Sequence, residues 1–248
     1  MKRKRVLLVA VGIAASLMIA GLCFSPSRQV LAQGTTGNLP PSTNPYMSLP
    51  GMNIDPTAYV DPTVIMHGKV TIGPYSYVDA GTILTGNVTI GHHSLLRCNI
   101  TIRGKVTIGN YTHIYDNVNI EQGRPAKPVG GSTAEVADEA IIGNECWVNH
   151  GAIMHGTQIE DGGAVGLNTA CDYNTHIGKG AILADGSATH HNQVIPDDCF
   201  AEGVPAVIKR KGLTDKDRME YFGLLPKTWT HFEGDRQEAN AKKKSGGH

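Results

Sequence analysis

From Ile54 to Ile120 an aliphatic residue recurs at every sixth position. The series is Ile54, Val60, Met66, Ile72, Val78, Leu84, Ile90, Leu96, Ile102, Ile108, Ile114 and Ile120. With 40% hydrophobic residues in the chain, twelve such hits in one phase have a chance of about 2 in 100,000. Four residues after each aliphatic sits a small or β-branched residue, including Val64, Val70, Ser76, Thr82 and Val88. An α-helix repeats at 3.6 residues and a half-buried strand at two, so neither explains a period of six. A hexapeptide period is the mark of an all-β solenoid: short parallel strands joined by corners, with the aliphatic side chains stacked inside. Gly73, Gly91 and Gly109 each follow an inward residue where a tight corner needs an unhindered backbone.

The phase breaks after Ile120. Residues 122–140 contain two prolines, a Gly-Gly pair and scattered charges, and read as a protruding loop. The period returns at Ile142, Val148 and Met154, slips by one residue to Ile159, and continues through Val165, Cys171, Ile177 and Leu183. Pro205 and the basic run Lys209-Arg210-Lys211 close the repeat. From Thr214, an N-cap candidate, a short helix follows with Asp215 and Asp217 in its first turn and Tyr221, Phe222 and Leu225 as an apolar stripe. It is expected to cap the open end of the solenoid or to pack along its side.

The chain's start reads as a targeting segment. Lys2 to Arg5 is basic, Val6 to Phe24 is apolar or small, and Val30-Leu31-Ala32 has the small residues of a cleavage site. The expected organisation is a signal peptide or N-terminal anchor over 1–32 and a linker over 33–52. A β-helix domain over 53–211, a helical segment over 212–233 and a disordered tail over 234–248 follow. Export to the periplasm or beyond is implied, with membrane contact only where the first segment stays uncleaved. Lys+Arg and Asp+Glu are both 22, but five of the bases fall within 1–32, leaving seventeen against twenty-two acids in the remainder. That mildly acidic body lacks the basic face a nucleic-acid binder needs. Cys146, Cys171 and Cys199 fall at inward positions, where a thiol behaves as a small hydrophobe.

Most of the eleven histidines have no partner in the sequence. His92-His93, His176 and His190-His191 read as surface or turn residues. His150 and His155 differ: each lies one or two residues past an inward position, so both rings point out of the solenoid, but on or near different faces. One chain alone does not easily bring both to one metal.

An exported hexapeptide solenoid with two histidines five residues apart, preceded by a loop, resembles the gamma-class carbonic anhydrase family over roughly 55–211. The resemblance implies a left-handed β-helix that forms homotrimers, with zinc at each interface, and reversible hydration of carbon dioxide to bicarbonate by a metal-bound hydroxide. His150 and His155 match the family's second and third zinc ligands. Arg103-Gly104 matches its Arg-Gly-Asp, with Lys105 in place of the Asp. Asp116 matches another acid of the family. Gly203-Val204-Pro205-Ala206 matches an ending that hexapeptide acyltransferases share.

The departures bear on activity. Glu121 stands where the family has its first histidine ligand, and Tyr115 where it has a glutamine. Glu135 and Glu139 are the acids nearest a proton-shuttling glutamate known in some members. The implied set is a metal held by His155 and Glu121 of one chain and His150 of the next, with Arg103, Tyr115 and Asp116 around it. Two histidines and a carboxylate suit zinc, and also ferrous iron or cobalt. A carboxylate in place of imidazole makes bound water less acidic. Two alternatives stand beside the enzyme: a non-catalytic trimeric scaffold or bicarbonate-binding subunit, and, further off, a hexapeptide acyltransferase.

Overall fold

The computed structural model describes residues 44–123 and 138–222, together with Lys242. The expected targeting segment, most of the excursion over 122–140 and the tail lie outside the described residues. No helix among the described residues is long and apolar enough to cross a membrane.

The six-residue period builds a left-handed parallel β-helix with three faces per coil. On the first face Met66, Leu84, Ile102 and Ile120 lie in register, one above the next. On the second the ladder is Ile54, Ile72, Ile90 and Ile108. On the third it is Val60, Val78, Leu96 and Ile114. Apart from the terminal Ile54, these side chains are almost wholly removed from water. Burial of each is worth roughly 1.5–3 kcal/mol, which offsets the ordering of a chain that has few helical hydrogen bonds.

The excursion leaves the ladder intact. Ile108 pairs with Ile142, Ile114 with Val148 and Ile120 with Met154. The next coil is one residue short: Met154 pairs with Cys171 and Ile142 with Ile159. The missing residue is taken up at the corner around Gly156, whose φ is 57°. Cys146, Cys171 and Cys199 are free and lie in the core. Burial pushes the thiols of Cys146 and Cys171 up to about 12, so both behave as packing residues.

Strands Ile65–Ile72, Ile83–Ile90 and Thr101–Ile108 each run unbroken around a corner between two faces. The corner residues Gly68, Gly86 and Gly104 have φ of 94°, 110° and 88°. A Cβ at Gly86 would collide with the backbone oxygen of Gly104, so the coils approach there as no side-chain-bearing residue allows. This brings Arg103 close above the following coil.

Both ends are closed. Asn44 donates from Nδ2 to the carbonyls of Asp61 (2.6 Å) and Val64 (3.0 Å), and Tyr46 and Met47 pack against the first core rungs. The stretch read as linker therefore ends in a lid on the solenoid. At the other end Cys199–Gly203 and Ala206–Lys211 form an antiparallel hairpin. The helix Asp215–Phe222 follows, with Thr214 and Asp217 capping each other's backbone N–H groups. The helix packs along the side, with Phe222 stacked on Trp147 at 5.5 Å.

Candidate metal centre

Arg103, Glu121 and His155 each follow an inward residue, Ile102, Ile120 and Met154, so each points outward at the same corner of successive coils. The register places Arg103 beside Glu121 and Glu121 beside His155. The thirty-four residues from Ile120 to Met154 fit one eighteen-residue coil plus a sixteen-residue excursion, which is why the acid and the histidine meet. Gly156 N–H donates to the Glu121 carbonyl at 2.8 Å and fixes the two backbones. Arg103 Nη1 lies 3.3 Å from Glu121 Oε1, an exposed pair that orients one carboxylate oxygen and adds little to stability. The His155 ring meets Tyr173 edge-on at 5.0 Å.

His150 sits in the turn at the preceding corner. Its Nδ1 is 3.0 Å from Asp116 Oδ2, while Asp116 Oδ1 accepts the Cys98 N–H at 3.0 Å. With the carboxylate ionised, Nδ1 carries the proton and Nε2 keeps its lone pair for a ligand. Tyr115 packs its ring on His150 at 4.9 Å and stacks on Trp147 at 5.2 Å. Burial raises the Tyr115 phenol, Arg97 lowers it and Asp116 raises it further; the net shift is upward, so Tyr115 remains a neutral wall. Tyr115 thus supports the His150 ring.

His150 and His155 stand at opposite ends of one face. Among the described residues no three His, Cys, Asp or Glu side chains come together as a metal requires. Between the two corners the outward row of that face is Ile65, Ile83, Thr101, Asn119, Ile153 and Ala170, in register. Ile65 and Ile153 are 37% and 44% exposed.

The donor chemistry fits a divalent cation. Two imidazoles and a carboxylate are an accepted zinc set, one imidazole already has the carboxylate partner typical of ligating histidines, and Glu121 has a second oxygen beyond the one facing Arg103.

Lys105 pairs through Nζ with Glu139 Oε2 at 2.9 Å. Thr107 Oγ1 donates to the other Glu139 oxygen at 2.6 Å, and Gln158 Nε2 donates to the Glu139 carbonyl at 2.7 Å. Burial alone would raise the Glu139 carboxyl, but Lys105 and Thr107 outweigh it and hold it below its ordinary value. Glu139 is therefore committed to fastening the returning end of the excursion. Glu135 lies outside the described residues.

Sequence reading missed a further arrangement. His191 Nδ1 lies 3.0 Å from Asp172 Oδ2 and its ring stacks on Tyr173 at 5.5 Å. The signal was the repeat: His191 lies one full eighteen-residue coil after Tyr173, while the short coil before it sets Tyr173 one place past the position beside His155.

No family model matches the chain. The mitochondrial gamma carbonic anhydrase 2 of Arabidopsis thaliana is 30% identical over 102 residues, 41% of this chain and 36% of that protein. The chain thus matches only about a third of that relative's length. A hexapeptide transferase family protein from Anaplasma phagocytophilum has a similar structure, with a TM-score of 0.51 and 18% identity over 75% of this chain and 91% of that one. An N-acyltransferase from Bacillus cereus, solved with dTDP and coenzyme A, reaches a TM-score of 0.44 at 17% identity over 66% and 85%. The protein is a hexapeptide-repeat β-solenoid with a distant likeness to a gamma carbonic anhydrase.

Proposed function

We propose that this chain is an exported, trimeric, gamma-class carbonic-anhydrase-like enzyme that hydrates carbon dioxide to bicarbonate. The observation that carries the reading is the juxtaposition of Glu121 and His155, with His150 held by Asp116 at the neighbouring corner. The 30% identity to the Arabidopsis protein over 102 residues is in the same sense. Export is supported by the basic and apolar start of the sequence.

His155 and Glu121 of one copy, with His150 of a neighbouring copy, would hold zinc, or ferrous iron or cobalt. A divalent cation there would supply the positive charge that acidifies a water molecule for attack on carbon dioxide. The chain's own groups do the rest. Asp116 fixes the His150 ring and its tautomer, Tyr115 confines it, and Arg103 directs one oxygen of Glu121. The exposed Ile65 and Ile153 of the outward row offer apolar contacts on which a neighbouring copy would seat. A twofold pair would repeat one patch on itself, whereas two different corners call for a cyclic arrangement.

One observation favours the non-catalytic alternative: the Arg103–Glu121 pair competes with a cation for the carboxylate. In that reading the same trimer serves as a scaffold or bicarbonate-binding subunit. Metal content of the purified protein, followed by stopped-flow hydration of carbon dioxide, separates the two. One metal per chain with hydration above the metal-free protein supports the enzyme. A trimer that takes up no metal supports the scaffold.

A further inference from the structure

We propose that His191 is a proton-relay residue serving the site at His155, positioned by Asp172. The inference rests on the hydration reading above.

Three features point to it. Asp172 is anchored through Oδ1 by the Tyr173 N–H at 2.8 Å, and its own N–H donates to Thr189 Oγ1 at 3.0 Å. Its remaining oxygen faces His191 Nδ1 at 3.0 Å. This repeats the arrangement at His150, where Asp116 is anchored by Cys98 N–H and faces Nδ1 with its other oxygen. The same device has been built twice, once at a proposed ligand and once beside it. Second, an unbroken run of rings leads from the site to solvent: His155 meets Tyr173 at 5.0 Å, and Tyr173 stacks on His191 at 5.5 Å. Third, the His191 side chain is 66% exposed, so its ring reaches buffer. His190 adjoins it, with Nδ1 at 3.2 Å from the His191 carbonyl, and adds no acid to the set.

A surface pair of this kind contributes little to folding, so stability alone gives no reason for its geometry. Among the described residues a further exposed histidine–carboxylate pair, His176 with Glu160 at 2.9 Å, has no ring contact that leads toward His155. Glu139, at the returning end of the excursion, is occupied by Lys105 and Thr107.

The chemistry gives such a residue a task. Hydration forms a bond from a water oxygen to the carbon of carbon dioxide and yields bicarbonate and one proton. That proton must leave before the next turnover. His191 Nε2 accepts it through solvent at the edge of Tyr173, while Nδ1–H stays donated to Asp172. The imidazolium then releases the Nε2 proton to a buffer base. Histidine is the residue type that takes up and releases protons near neutral pH.

The test uses the full metal-loaded chain with His191→Ala and Asp172→Asn. In weak buffer His191→Ala should lower kcat roughly tenfold and leave kcat/KM unchanged, because proton release follows the carbon chemistry. Added imidazole should restore kcat. Independently of activity, ¹⁵N spectra of the metal-free protein should show His191 as the Nδ1–H tautomer, with that preference lost in Asp172→Asn. Wild-type protein that hydrates carbon dioxide while His191→Ala matches it in weak buffer overturns the relay alone. So does a parallel fall of kcat and kcat/KM without imidazole rescue, or an Nε2–H tautomer in the wild type. A metal-loaded wild type that does not hydrate carbon dioxide overturns the relay and the hydration reading together.

Discussion

Glu121 and His155 lie side by side in adjacent parallel strands, although thirty-four residues separate them. The carboxylate also faces Arg103 at 3.3 Å, so Glu121 lies between an arginine on one neighbouring coil and a histidine on the other. If it is a ligand, its negative charge weakens the pull of the cation on water, and a neutral ligand would strengthen it. Glu121→His should therefore move the pH profile of hydration to lower pH and raise the neutral-pH rate on the order of tenfold, as about 1.4 kcal/mol would. Glu121→Ala should weaken metal uptake. Unchanged metal affinity in that variant would show that the carboxylate only answers Arg103.

Asp116 should matter through His150. Asp116→Asn keeps the volume but offers Nδ1 an amide that can donate as readily as accept, so the ring loses its fixed tautomer. Loss of such a partner typically costs 10–100-fold in metal affinity. Competition with a calibrated chelator would measure it. Equal affinity in the variant and the wild type would remove Asp116 from the account.

Much of this was open to sequence reading because the coil is a ruler. Once Ile54 to Ile120 set the six-residue phase, the outward aim of His150 and His155 and the meeting of Glu121 with His155 followed by counting. What counting could not supply were contacts made by side chains across coils. Asn44 closes the first coil through carbonyls seventeen and twenty residues away, and nothing in its polar neighbourhood announces that. Lys105 breaks the family's Arg-Gly-Asp match, and only the structure shows Glu139 answering it across the excursion. His191 read as a turn residue because its carboxylate partner lies a coil away. The side-on placement of the helix rests on contacts that no periodicity encodes: Phe222 on Trp147, Tyr221 on Phe200, and Arg218 donating to the Gly180 carbonyl at 3.0 Å.

Assembly should depend on the row between the two histidine corners. Ile153 is exposed at 44% on the face that a neighbouring copy would cover, and its backbone is fixed by strands on both sides. Ile153→Glu places a charge there without touching the core. The expected result is a shift from three chain masses to one in light scattering, with the fold intact by circular dichroism and metal uptake lost. A variant that remains trimeric would place the interface elsewhere.

The fold itself should be acid-sensitive through His113. This side chain is 1% exposed between Leu95 and Trp147 on an outer face of the solenoid. Burial, reinforced by the nearby Arg97, lowers its pKa to about 3 from an ordinary 6.5. Between those values the unfolded chain binds a proton that the folded chain refuses, so unfolding gains as pH falls. The contribution is fully present above about pH 6.5 and is lost progressively toward pH 3, with a slope approaching about 1.4 kcal/mol per pH unit. His113→Leu repeats the residue one coil earlier, Leu95, and removes the titration. Chemical denaturation at pH 7 and pH 5 should show a smaller loss of stability in the variant than in the wild type, by about 2 kcal/mol. Equal losses in both proteins would mean that His113 is protonated in the folded state at pH 5.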